Sequence, residues 1–198
     1  MMNPTERAQA AVASRQFDLV AGILDGAELE ISNPTVLNEW PYALHLLGHI
    51  YNKQLIDARF LWKRIPAAVK QDNAELNAVW KLLQCLWQRH YPGVWQALEG
   101  HAWSPAVEPY IRAVAVKTRA ELLELLATAY SSVKPAKVAS ICGLPEAEAL
   151  KVCCASGWHY NSATGILSVP VKVAVAEPLE VTGDLQLLAE YMANLEQP

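Results

Sequence analysis

Between Ala58 and Lys70 the chain reads ARFLWKRIPAAVK, with Ala58, Leu61, Trp62 and Ile65 at the i, i+3, i+4, i+7 spacing that shares one helix face. Arg59 and Lys63 fall on the other side. Pro66 lacks a backbone donor and disfavours helical geometry in the residue before it, so the helix ends there. The stripe predicts a core-facing helix, with Phe60 on a flank that meets the next helix. A nucleic-acid surface needs aromatics and cations on the same face, and this pattern opposes them.

Similar stripes precede and follow. Phe17, Val20, Ala21 and Leu24 form a short one, Leu44, Leu47 and Tyr51 another. Leu76, Val79, Trp80, Leu83 and Trp87 form a longer one, capped at Asn73 and closing near HYPG at 90–93. Ser104-Pro105 predicts the start of a helix carrying Val107, Ile111 and Val114. Short antiparallel helices with no strict period predict an irregular helical-repeat array over residues 1–116.

From 117 to 170 the pattern predicts a winged helix. One helix carries Leu122, Leu126 and Ala129 inward; a second packs Val138, Ile141 and Leu144, across a Gly-Leu-Pro turn, on Ala147, Leu150 and Cys154 of a third. Two short strands then flank Thr164-Gly165. The edge of this small sheet, with Trp158, Ile166 and Val169, is the first expected partner interface. Residues 171–183 are expected to form a linker, with one more strand at Val171, Val173 and Val175. Residues 184–198 form an amphipathic helix whose stripe of Leu185, Leu188, Met192 and Leu195 is the second expected interface.

Composition sharpens this. The 198 residues are 53% hydrophobic and 18% charged, below the roughly 25% usual for soluble proteins, and include seven tryptophans, which points to surface covered by partners. No apolar run approaches a membrane span and the start has no signal-peptide layout, so an intracellular protein is expected. The net charge of −4 is uneven: residues 53–90 carry seven basic and three acidic groups, residues 171–198 one basic and five acidic.

Candidate chemistry is sparse. His45 and His49 sit four apart, as in a metal-binding H-x-x-x-H, but no glutamate lies between them and no third ligand is evident in the sequence, so they read as surface or partly buried histidines. Cys85, Cys142, Cys153 and Cys154 lack metal spacing and read as free thiols. No catalytic residue, cofactor site or metal site is assigned. A recognition helix for DNA needs cations and base-reading donors, whereas residues 145–156 hold Glu146, Glu148 and a single Lys151. A DNA-binding regulator is the weaker alternative to a protein-interaction module.

Several segments carry a resemblance: WPYALHLLG (40–48), ARFLWKRIPAAVK (58–70), LWQRHYPGV (86–94), GLPEAEA (143–149), GW (157–158) and LAEYMANLE (188–196). A helical array, a winged helix and a trailing helix resemble the PCI domain family. These segments are similar within it to the eighth-subunit family of the COP-nine signalosome, WPYALHLLG most of all to its plant-type members. The resemblance implies a non-catalytic scaffold in the nuclear and cytoplasmic complex that removes Nedd8 from cullins and so regulates cullin-RING ubiquitin ligases, in plants in light-dependent development. It implies the other subunits as partners, with subunit three as neighbour, through aligned winged helices and a shared bundle of C-terminal helices, and no specific nucleic acid or membrane. Proteasome-lid and initiation-factor scaffolds share the architecture and are the alternative within it.

Overall fold

The computed structural model describes residues 4–30, 40–170 and 191–192. Its first hairpin joins α1 (Pro4–Ala13) to α2 (Leu19–Glu30). Ala8, Ala11 and Val12 give α1 an inward edge of small side chains against Val20, Ala21 and Leu24. Between the two, Phe17 stacks on Tyr110 and its carbonyl accepts a hydrogen bond from the Tyr110 hydroxyl at 2.7 Å.

At the centre lies α3 (Tyr42–Tyr51), buried without a break from Tyr42 to Ile50. It contacts α2, α4 (Leu55–Arg64), α6 (Ala74–Trp87) and α8 (Glu108–Ala129), so every face is covered. Its close approach to α2 needs Gly48: a Cβ there would stand 2.9 Å from the Ala21 backbone nitrogen.

The sequence signals at α4 and α6 act as expected. Ile65, extended before Pro66, closes α4, and α5 (Ala67–Asp72) restarts after the proline. The Asn73 side chain accepts from the Leu76 amide at 2.9 Å and caps α6. The HYPG segment also opens α7 (Tyr91–Glu99), with Pro92 in its first turn, where a missing amide hydrogen costs little. Ser104 accepts from the Val107 and Glu108 amides before α8 begins. That helix then runs 22 residues from the array into the winged helix.

The winged helix comprises the end of α8, β1 (Ser132–Val133), α9 (Pro135–Cys142), α10 (Glu146–Ala155), β2 (His159–Asn161) and β3 (Ile166–Ser168). The sheet is antiparallel in the order β1-β3-β2, with Leu167 facing Val133 on one side and Tyr160 on the other. Its core differs in phase from the sequence expectation. Ala149 and Cys153 are the buried residues of α10, while Ala147 and Cys154 are exposed and Leu150 is half-buried. Gly143, in the left-handed conformation, ends α9 before this helix. Ala129, expected inward, is exposed at the C-terminal end of α8, where the chain turns extended into β1.

Candidate interaction surfaces

The three winged-helix residues expected at a partner edge occupy different places. Ile166 lies on the central strand β3 and is half-buried; Trp158 and Val169 are buried, and the Val169 amide donates to the Ser131 carbonyl at 2.9 Å. The expectation that Ile166 lies on an outer strand is therefore corrected: β1, missed in the sequence because it is two residues long, pairs with its far side. Among the described residues the edges of the sheet are β2, where His159, Tyr160 and Asn161 are all exposed, and β1. In α10, Glu146 and Glu148 occupy the first turn, where carboxylates suit the helix dipole and repel phosphate.

The winged helix is fixed to the array by Trp95 on α7. Its indole nitrogen donates to the Ile141 carbonyl at 2.8 Å, and the Arg119 guanidinium lies 4.6 Å from its ring centroid while donating to the Cys142 carbonyl. Cys142 and Cys153 are buried beneath, and loss of water around them pushes both thiols up to about 11, so they stay protonated and unreactive at neutral pH.

The histidine pair acquires a third member that its spacing does not reveal. Asp25, twenty residues before His45 on α2, is carried to α3 by the Gly48–Ala21 crossing. Its Oδ1 lies 2.9 Å from His45 Nε2 and 3.4 Å from His49 Nε2. Both histidines are buried, contrary to a surface or partly buried placement. Two imidazoles and a carboxylate suit a transition metal, but the second contacts decide against it. Trp40 Nε1, which only donates, lies 3.2 Å from His45 Nδ1. His45 therefore carries its hydrogen on Nε2 and gives it to Asp25. A metal on Nε2 would move that hydrogen to Nδ1, against the Trp40 N–H. The cluster is a hydrogen-bond network joining α2 and α3, with the two histidines buried and the Asp25 carboxylate partly open to solvent. Burial lowers the His45 pKa to about 4, outweighing the hydrogen bond that His45 donates to Asp25, which raises it.

The face of α4 and α6 departs most from the sequence reading. Trp62 is half-buried and stacks on Trp80, with ring centroids 4.4 Å apart and planes 6° from parallel. Phe60 and Trp87, expected at a helix contact and in the core, are 57% and 48% exposed, with Ile56 at 58%. The cations do not oppose these rings: Arg59 lies over Trp87, Lys63 over Phe60 and Lys70 over Trp62, at 5.4, 5.6 and 5.1 Å from the centroids. Long basic side chains fold back across the helix surface, which residue spacing alone does not register.

In the C-terminal stripe, Met192 is helical and exposed; Leu185, Leu188 and Leu195 lie outside the described residues, as do Val171, Val173 and Val175.

Residues 36–178 match the model of the CSN8/PSMD8/EIF3K family. The chain is 34% identical over 188 residues to the COP9 signalosome complex subunit 8 of Arabidopsis thaliana, covering 94% of this chain and 95% of that relative. It is 36% identical to the subunit of that name in Xenopus laevis, over 84% of this chain and 83% of the relative. Its counterpart in Dictyostelium discoideum is 24% identical over 94% of both.

Proposed function

The chain belongs to the CSN8/PSMD8/EIF3K family, and we propose that it is the eighth subunit of a COP9 signalosome, acting there as a non-catalytic scaffold. The observation that carries this reading is the similarity to subunits of that name along nearly the whole chain. The architecture supports it: a helical array leads through one continuous helix into a winged helix whose third helix starts with two carboxylates.

Two surfaces serve assembly in this proposal. The open edge of β2 accepts a neighbouring winged helix, with subunit three as the neighbour, while Trp158 and Val169 hold the sheet from beneath and Ile166 joins its strands. The stripe of Leu185, Leu188, Met192 and Leu195 enters a bundle formed with helices of other subunits. The complex so built removes Nedd8 from cullins through another subunit, in nucleus and cytoplasm. Affinity purification of the tagged full-length chain from cell extract tests this. Co-purification of signalosome subunits is expected; recovery of proteasome-lid or initiation-factor subunits instead overturns it.

A further inference from the structure

We propose that the face formed by α4 and α6 is a docking surface for a short acidic segment of another protein, which inserts one apolar side chain between the two helices. The surface lies on the helical array, apart from the winged-helix sheet and the C-terminal stripe, and the inference does not depend on which complex the chain joins.

Three observations combine. Ile56 and Phe60, one turn apart on α4, and Trp87 on α6 each leave about half of a large apolar side chain exposed, and grouped apolar exposure marks contact sites. Between the helices runs a cleft of about 220 Å³, with Leu55, Trp80, Leu83 and Trp87 as its apolar lining and Arg59, Gln84 and Gln88 as its polar one, smaller than the roughly 300 Å³ at which small-molecule sites begin, so it suits a single side chain. Finally, Arg59 lines the cleft, while Lys63 and Lys70 lie over the rings of Phe60 and Trp62 on the same helical face, and none of the three has a carboxylate partner among the described residues. The neighbouring Arg64, by contrast, is paired with Glu28 at 2.9 Å. Unpaired cations at and beside a slot with apolar walls complement carboxylates flanking an apolar anchor. A nucleic acid is the poorer fit, because its affinity grows with the number of phosphates neutralised, and this face offers three cations on a chain of net charge −4.

The test places a photo-crosslinking p-benzoylphenylalanine at position 60 of the full-length chain in cells, followed by sequencing of whatever is joined to it. The expected product is a protein segment with an excess of Asp and Glu around an apolar residue. The paired reversals Arg59→Glu and Lys63→Glu, both at exposed positions, should lower its yield about tenfold, with circular dichroism unchanged. A crosslink to nucleic acid, a crosslink to a neutral or basic segment, a yield indifferent to the reversals, or no crosslink at all overturns the proposal.

Discussion

Gly143 lies against the ring of Trp95: with φ at 61°, it turns the chain from α9 towards α10 at a point where a Cβ would stand 2.2 Å from Trp95 Cγ. One residue thus supplies both a left-handed turn and the space into which the array's tryptophan fits. Gly143→Ala meets two costs, about 1 kcal/mol for the left-handed backbone and the displacement of a ring that is itself hydrogen-bonded to Ile141. Chemical denaturation should show a loss of at least about 2 kcal/mol. Trp95→Phe, which keeps an aromatic ring but loses the donor and part of the buried indole volume, should cost at least about 1 kcal/mol. A Gly143→Ala protein as stable as the wild type means that this contact does not hold the two parts together.

On α4, neighbouring positions should behave differently. Leu61 is fully buried, whereas Trp62 is half-buried with a stacking partner. Leu61→Ala should cost about 2–5 kcal/mol. Trp62→Ala should cost less despite the larger side chain, because Trp62 is partly exposed whereas Leu61 is wholly enclosed. Reversed ranking in thermal melts would return Trp62 to the core.

His45 makes stability depend on pH. Its folded value of about 4 lies below the ordinary 6.5, so between these values the unfolded chain binds more protons than the folded one. The stabilisation is therefore full above about pH 6.5 and is lost as pH falls towards 4, by up to about 3 kcal/mol. Urea unfolding at pH 7 and pH 4.5 measures it, with His45→Gln as the reference. The variant is expected to be less stable at pH 7 but to lose less on acidification. Equal losses in both proteins would mean that His45 is not the group responsible.

Where burial follows helical period, the sequence was sufficient: Ala58, Leu61, Leu76, Val79 and Leu83 are all buried as their spacing predicts. It was insufficient where a contact depends on distant residues. Asp25 meets the histidines only because two helices cross at a glycine, and nothing local marks it. Likewise α1, whose inward edge is built of alanines, gives almost no apolar contrast to read. Arg59 and Lys63 of α4 were placed by their Cα positions, yet their heads lie 5.4 and 5.6 Å from the centroids of the Trp87 and Phe60 rings. The β1–β3 pairing joins residues over thirty positions apart, which local alternation in a two-residue strand does not encode.

That pairing changes how the assembly edge is to be tested. Proline at Ile166 would break the central strand and report on folding rather than on a partner, because β3 has neighbours on both sides. The informative change lies on β2, where Tyr160→Lys places a charge on an exposed edge position, the device by which natural sheets discourage strand addition. The folded chain should keep its stability within about 0.5 kcal/mol and lose its immediate neighbour in pull-downs. Deleting residues 184–198 removes the apolar stripe instead, where each buried side chain contributes roughly 1.5–3 kcal/mol before association costs. Circular dichroism should be otherwise preserved, while retention of the remaining subunits falls. The two variants separate the surfaces: the edge change releases one neighbour, whereas the deletion loosens the whole set. If the deletion unfolds the chain, residues 184–198 belong to its own core; if every subunit is still retained, the bundle role is wrong.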